Sequence, residues 1–577
     1  MSETDPGAAW DGETLMSARF GDVYASRSGA LAQSRAVFLG GCGLPGRWQG
    51  RRRFTVAELG FGTGLNMLAV LDEWARSRPP GATLHLFSIE GFPLARADAA
   101  RALAGFPELA GLAAQLLGQW PGGACGLHRI EFPELGATLD LAIEDVGTAL
   151  SGWQGRADAW FLDGFSPAKN PGMWSPEILA LVGARSAPGA RAATWSVAGS
   201  VRRGLAAAGF TVDRLPGFTG KRERLEAYLP GVAGDPPNPR VAVIGAGIAG
   251  AALALALRDL GIEPSIFADG PMASGNPAAL VSPRLAAGSE AGAALHALAF
   301  RRAVERIERT APDSVIARGV QRLLKPSEVE RADASIASGL FPADSLRRDG
   351  DVLHLRDALV VSPQRLLGAW LGAVRPLAVN EIARVDGGWL VQGEGPFDAV
   401  VVAAGFGSAV LGDLPLRPIR GQVTIANVPL TDTPTSWGGY LIPTDNGLLF
   451  GATHGRGDAD AGIRGEDQTR NLETLARVRP ELAAELSAMT LGAVAGVRAV
   501  AGDHQPVAGA LGDGLFALGA FGGRGFALAP LLAEYVAALI AGTPSPLTAA
   551  MARLVTPTRF APRAGSSAAR PASSSAA

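Results

Sequence analysis

Two glycine-rich turns, each set between an apolar strand and an apolar helix, constrain this 577-residue chain more than any other feature. The first carries Arg53-Phe54-Thr55-Val56-Ala57-Glu58-Leu59 into Gly60-Phe61-Gly62-Thr63-Gly64-Leu65-Asn66 and the helical pattern Met67-Leu68-Ala69-Val70-Leu71. The second carries Arg240-Val241-Ala242-Val243-Ile244 into Gly245-Ala246-Gly247-Ile248-Ala249-Gly250 and an apolar helix from Ala251 to Leu260. Glycines in such a turn let the backbone approach a nucleotide closely, and the helix that follows points its positive end at the ligand. One unit of this kind opens a Rossmann-like α/β domain. Two of them, in a chain too long for one hydrophobic core, require two domains. The joint is Gly234-Asp235-Pro236-Pro237-Asn238-Pro239, with three prolines in six residues. This predicts a first domain over 1–234, a linker over 235–239, a second domain over 240–560, and a disordered tail over 561–577, where little but Ala, Ser, Pro, Arg and Gly remains.

The turns differ in kind. The first, Glu58-x-Gly60-x-Gly62-x-Gly64, lacks the Gly-Lys-Ser/Thr of a phosphate loop and resembles the donor loop of class I methyltransferases, which use S-adenosylmethionine. The strand Thr83–Ile89 ends on Glu90, where a Rossmann-like fold hydrogen-bonds ribose hydroxyls. The strand Leu139–Ile143 ends at Glu144-Asp145, so that Asp145 either lies beside the adenine or caps the next helix. The strand Asp158–Leu162 delivers Asp163-Gly164-Phe165-Ser166-Pro167-Ala168-Lys169-Asn170-Pro171 to the carboxyl edge of the sheet, where ligands bind. A carboxylate there can hold an amine in line with the methyl sulfonium and take the proton lost on alkylation. The alternative is that Asp163 is only a turn residue before Gly164.

The second turn, Gly245, Gly247 and Gly250, has the full dinucleotide spacing, and the strand Pro264–Ala268 ends on Asp269, a candidate ribose ligand. Asp398 to Gly407, with Ala404 and Gly405 at its turn, resembles the second strand-turn element of flavoproteins, which favours FAD over NAD. Leu515–Gly519 leads to Gly523-Arg524-Gly525 and a helix through Tyr535, whose first amides would face the flavin. Ala273-Ser274-Gly275-Asn276-Pro277-Ala278-Ala279, Arg420-Gly421-Gln422 and Gly496-Val497-Arg498 resemble the glycine oxidase and D-amino-acid oxidase group. That resemblance implies oxidation of a carbon-nitrogen bond next to a carboxylate, with Arg498 clamping the carboxylate and Ser274 and Asn276 near the FAD. The second half has no cysteine, so FAD is expected to be noncovalent, and His454 either lines the site or is structural.

Trp160 to Pro171, with Ala193-Thr194-Trp195-Ser196, Val201-Arg202-Arg203-Gly204-Leu205 and Gly217-Phe218 to Lys221-Arg222-Glu223, closely resembles the methyltransferase half of the bacterial tRNA-modifying MnmC family. Ser274-Gly275-Asn276-Pro277 resembles the FAD half of the same family. The resemblance implies a bifunctional, cytoplasmic enzyme acting on a tRNA wobble uridine. Its FAD half would convert a 5-carboxymethylaminomethyl arm to 5-aminomethyl with loss of glyoxylate, and its first half would methylate the exposed amine. The rival is an amino-acid or sarcosine-type oxidase fused to a small-amine methyltransferase. A formal net charge of −2 supplies no global field for RNA, so contact would rest on local runs such as Arg51-Arg52-Arg53, Arg202-Arg203 and Lys221-Arg222-Glu223-Arg224. The two cysteines, Cys42 and Cys125, lack metal-site spacing, and no uncharged apolar run is long enough to span a bilayer, so neither a metal nor a membrane is expected.

Overall fold

The computed structural model describes residues 7–12, 14–24, 29–218, 222–270, 272–285 and 290–560. The expected tail over 561–577 and Lys221 of the last basic run lie outside the described residues. The first half is built on an eight-stranded sheet in the order Thr211–Pro216, Glu223–Tyr228, Ser186–Thr194, Ala157–Leu162, Arg53–Leu59, Thr83–Glu90, Ala137–Ile143 and Gly126–Phe132. The five strands from Ser186–Thr194 to Ala137–Ile143 pair in parallel, and the remaining pairings are antiparallel. Arg53–Leu59 sits mid-sheet with Phe54, Val56, Ala57 and Leu59 all buried, the continuous apolar run expected of a strand covered on both faces. The donor-loop glycines therefore emerge at the carboxyl edge of the sheet, where the parallel strands open.

The second half has a six-stranded nucleotide sheet in the order Val374–Pro376, Ser265–Ala268, Val241–Ile244, Ala399–Val402, Leu515–Gly519 and Val507–Gly512. Beside it stands a ten-stranded mixed sheet that includes Tyr440–Thr444, Leu416–Ala426 and Gly492–Ala501. This is a Rossmann unit, as the sequence predicts, with an α+β subdomain beside it. One helical segment among the described residues, Gly522–Ala541, is long and apolar enough to cross a membrane, but 72% of its apolar window is buried inside the protein. It packs on the helices Ile248–Asp259 and Glu290–Thr310.

The two halves meet along a surface that the sequence does not announce. Residues from both, such as Trp153 and Trp160 with Val241, Leu253 and Leu531, share one hydrophobic cluster. Charges interlock beside it. The edge strand Gly126–Phe132 presents Glu131 to Arg302 and Arg306 of the helix Glu290–Thr310, each at 2.7 Å. Arg129 of the same strand reaches Glu534 at 3.2 Å, and Arg302 also holds Glu534 at 2.7 Å. Burial alone would raise the Glu534 carboxyl, but Arg302, Arg129 and Arg306 outweigh it and hold the group well below the usual carboxylate range. The proline-rich joint is tied down as well, because Asp235 accepts from the Arg52 amide at 3.1 Å and Asn238 donates to the Gly261 carbonyl at 2.7 Å.

Candidate active sites

A cavity of about 1080 Å³ opens above the donor loop. Gly60, Gly62, Glu90, Asp145 and Asp163 line it together, so five of the sequence-derived candidates converge. Gly62 and Glu90 are already coupled: the Gly62 amide donates to the Glu90 carboxylate at 3.0 Å, and the Phe92 amide donates to its other oxygen at 2.9 Å. Burial raises the Glu90 carboxyl above its ordinary range, against the pull of these amides. Asp145 faces the cavity and also caps the helix Val146–Gly152, accepting from the Gly147 and Thr148 amides at 2.9 and 3.1 Å. The two readings of Asp145 are thus compatible.

Gly64 stands at φ 82° as the cap of the helix Leu65–Ser77, a backbone conformation only glycine adopts freely. A side chain at Gly60 would press to 2.7 Å from the Asp163 carbonyl, so the loop and the 163–164 turn can meet only because residue 60 has none. Glu58 is placed differently from the other candidates. It is 1% exposed, does not line the cavity, and is held from behind the loop by Ser88 at 2.7 Å and Asn66 at 2.9 Å. Burial pushes its carboxyl up to about 8.

The cavity wall includes a part of the chain that carried no recognisable signal. Phe20, Asp22 and Tyr24 lie in and beside the short N-terminal strands and close over the turn that follows Asp163. The Phe20 and Tyr24 rings stand 5.0 and 5.3 Å from Phe165, and Lys169 pairs with Asp22 at 3.2 Å. An acidic cavity with aromatic walls suits both a sulfonium and an amine.

In the second half the glycines fit a dinucleotide on steric grounds. A Cβ at Gly245 would fall 2.3 Å from the Ala403 carbonyl, and one at Gly250 would fall 1.9 Å from the Gly245 carbonyl. The first therefore permits contact with the strand Ala399–Val402 and its Ala404-Gly405 turn, and the second packs the helix on the strand. Gly247 lies beside Ser274, whose hydroxyl accepts from the Ile248 amide at 3.1 Å at the helix start. Asn276 is half-buried nearby in sequence, and Asp269 is exposed at the end of Ser265–Ala268.

Arg498 lies on Gly492–Ala501 in a slot that two glycines make. Cβ atoms at Gly421 and Gly523 would come within 2.5 and 3.2 Å of its guanidinium, which explains the glycine of Arg420-Gly421-Gln422 and that of Gly523-Arg524-Gly525. The Arg498 Nη2 donates to the Thr453 carbonyl at 3.4 Å. Tyr440, on another strand of the same sheet, lies close enough to Arg498 for each to act on the other's ionisation. Nothing local in the sequence marks Tyr440, which comes near Arg498 only because two strands distant in sequence join one sheet. Arg524 is pushed down to about 10 by burial, then by Arg284 and Arg322, so three arginines cluster at the turn that walls Arg498. His454 is exposed, bonded through Nδ1 to the Ala452 carbonyl, with its pKa lowered by burial and then by Arg498. Arg420 is structural: it is 2% exposed and tied to Asp467 and Gln422.

Residues 107–230 match the family model of S-adenosyl-L-methionine-dependent methyltransferases, and residues 240–539 match that of FAD-dependent oxidoreductases. The chain is 53% identical, over 95% of its length and 96% of the relative's, to the tRNA 5-methylaminomethyl-2-thiouridine biosynthesis bifunctional protein MnmC of Caulobacter sp. (strain K31). The chain belongs to the MnmC family. The MnmC protein of Caulobacter vibrioides is 48% identical over 97% of this chain and 98% of its own. Among solved structures, glycine oxidase from Geobacillus kaustophilus matches 54% of this chain and 97% of its own, at 21% identity and a TM-score of 0.47. As a member of the MnmC family the chain is a bifunctional enzyme, a methyltransferase using S-adenosylmethionine and an oxidoreductase using FAD.

The basic runs do not survive as one patch. Arg51 pairs with Asp158 at 3.4 Å, Arg52 with Asp235 at 3.8 Å, and Arg53 donates to Asn238, so this run is engaged at the joint between the halves. Arg202 and Arg203 remain exposed. Among the described residues no group of three or more His, Cys, Asp or Glu is arranged to hold a metal.

Proposed function

We propose that this enzyme matures a tRNA wobble uridine in two steps, in the cytoplasm where tRNA is used. FAD bound along Gly245, Gly247, Gly250, Asp269, Ser274, Asn276, Ala404, Gly405 and the 523–525 turn supplies the two-electron acceptor for the carbon-nitrogen bond of a 5-carboxymethylaminomethyl arm. S-adenosylmethionine, held by Gly60, Gly62, Glu90 and Asp145, supplies the methyl group for the 5-aminomethyl product. Arg498 makes two parallel charge-assisted hydrogen bonds to the carboxylate of the arm and so fixes which carbon is oxidised. Asp163 holds the freed amine in line and accepts its proton. Domain boundaries at 234 and 240 follow the same reading, with the joint as a fixed connection. FAD is held without a covalent bond.

The observation that carries this reading is the pairing, in one chain, of an acid-lined cavity over a donor loop with a glycine-walled arginine. The two sites accept the two ends of one chemistry, a carboxylate to be removed and an amine to be methylated. The test is mass spectrometry of nucleosides from tRNA that carries the carboxymethylaminomethyl arm. Incubation with the FAD-loaded protein should yield 5-aminomethyl-uridine, and adding S-adenosylmethionine should convert it to 5-methylaminomethyl-uridine. Turnover of free glycine or sarcosine with no change in tRNA would overturn the reading.

A further inference from the structure

A chain of hydrogen-bonded polar side chains runs from the buried strands to the wall of the methyl-donor cavity, where Ser34, Asn66 and Asp163 line it. Asn66, one residue into the helix Leu65–Ser77, uses both hydrogens of its amide: Nδ2 donates to Glu58 at 2.9 Å and to Asp163 at 2.7 Å. Its carbonyl oxygen accepts from the Ser34 hydroxyl at 2.6 Å. The amide can point only one way, because a flipped Asn66 would set its oxygen against two carboxyl groups and leave Ser34 facing a donor. Glu58 in turn meets Ser88 at 2.7 Å on the neighbouring strand. The chain thus runs from Ser88 through Glu58 and Asn66 to Asp163, linking two strands, one helix and the turn after a third strand.

We propose that Asn66, braced by Glu58 and Ser34, is a positioning residue for methyl transfer that fixes the Asp163 carboxylate toward the incoming amine. The proposal rests on the reading of Asp163 given above. It also gives Glu58 a task other than touching the methyl donor. Glu58 is buried behind the loop, and the charged groups that act on it, Asp163 and Glu90, are both acidic. Burial and these two neighbours push its carboxyl up to about 8, so near neutral pH it is largely uncharged, while Ser88 donates to one of its oxygens and Asn66 to the other. The only negative charge bonded to the Asn66 amide is then that of Asp163. A neutral brace holds the carboxylate without competing with it for the substrate cation.

The experiment uses the full FAD-loaded chain and tRNA already bearing 5-aminomethyl-uridine. It measures kcat and KM for methylation, S-adenosylmethionine affinity by calorimetry, and oxidation of the carboxymethylaminomethyl arm as a control for folding. Asn66→Ala should lose at least about tenfold in kcat, with donor affinity and oxidation within about threefold of the unaltered protein. Ser34→Ala, which removes one bond to Asn66, should lose about threefold to tenfold in kcat with the same pattern, and it serves if Asn66→Ala fails to fold. Glu58→Ala should behave like Asn66→Ala, and Glu58→Gln, whose amide oxygen still accepts from Asn66 and whose amide nitrogen can bond a turned Ser88 hydroxyl, should restore most of the loss.

Three results would overturn the proposal: an unchanged kcat in both Asn66→Ala and Ser34→Ala, donor affinity falling in step with kcat, or Glu58→Gln as damaging as Glu58→Ala. The last would make Glu58 a charged ligand of the methyl donor. Asp163→Asn separates this failure from failure of the reading beneath it. If Asp163→Asn methylates normally, the reading of Asp163 fails; if Asp163→Asn is inactive while both Asn66→Ala and Ser34→Ala are normal, only the positioning role fails.

Discussion

The methyl-donor cavity and the flavin-side site are opposites in charge. Glu90, Asp145 and Asp163 face the first, whereas the second holds Arg498 and, at the adjoining 523–525 turn, Arg524 with Arg284 and Arg322. On the proposed function each takes ligands of the other sign, a sulfonium and an amine in one, a carboxylate and an anionic cofactor in the other. The near-zero net charge of the chain, 52 Lys and Arg against 54 Asp and Glu, hides this local separation. It cannot by itself argue for or against an RNA substrate. Where the two regions meet, their charges interlock, with Glu131 and Glu534 among Arg129, Arg302 and Arg306.

The strongest way to break this contrast is to neutralise the acid that matters most. Asp163→Asn should lower methylation by about 10² to 10⁴ and leave oxidation untouched, if the carboxylate is a general base. Normal methyl transfer in that variant, with donor affinity checked in the same preparation, would reduce Asp163 to a turn residue. The interlocked boundary is next. Glu534→Ala takes from the buried Arg302, Arg306 and Arg129 the carboxylate they share, and should cost about 3 to 5 kcal/mol in denaturant unfolding. A loss below 1 kcal/mol would mean that water replaces the carboxylate there at little cost.

On the cationic side, Arg498→Lys keeps the charge but loses the planar fork, so oxidation should fall by at least about tenfold, or about 1.4 kcal/mol. Methylation of tRNA already bearing 5-aminomethyl-uridine should not change, and equal loss of both activities would point to misfolding. The smallest effect concerns Glu58. Its folded pKa, raised by burial to about 8 from an ordinary 4.5, makes the folded protein bind more protons than the unfolded chain between those values. Stability should therefore fall as pH rises through that window, and Glu58→Gln should flatten the decline by on the order of 1 kcal/mol between about pH 6 and pH 7. Parallel stability curves for the two proteins would show that Glu58 is ionised throughout.

Most of what the two sites are made of could be read from local patterns. Arg53–Leu59 and Leu515–Gly519 fall where the apolar runs place them, and the Gly60 and Gly245 turns follow their strands as expected. What escaped reading depends on contacts distant in sequence. The strand Gly126–Phe132 carries His128, Arg129 and Glu131, a pattern that looks like a loop until Glu534, 405 residues away, becomes a partner. Tyr440 comes near Arg498 only when two strands distant in sequence join one sheet, and Asn66 looks like any residue at a helix start until the turn after Ala157–Leu162 folds back over it. The Arg51-Arg52-Arg53 run shows the reverse, since a basic cluster that looks free for phosphate is engaged by Asp158, Asp235 and Asn238.

The central claim is that one chain holds two sites of opposite charge that act in succession on one nucleoside. The most direct measurement is the nucleoside profile of tRNA bearing the carboxymethylaminomethyl arm, treated in parallel with the unaltered protein, Asp163→Asn and Arg498→Lys, each supplied with S-adenosylmethionine. The account predicts 5-methylaminomethyl-uridine from the first, accumulated 5-aminomethyl-uridine from the second, and largely unconverted substrate from the third. Methylated product from Asp163→Asn at the normal rate, or accumulated 5-aminomethyl-uridine from Arg498→Lys, would contradict it.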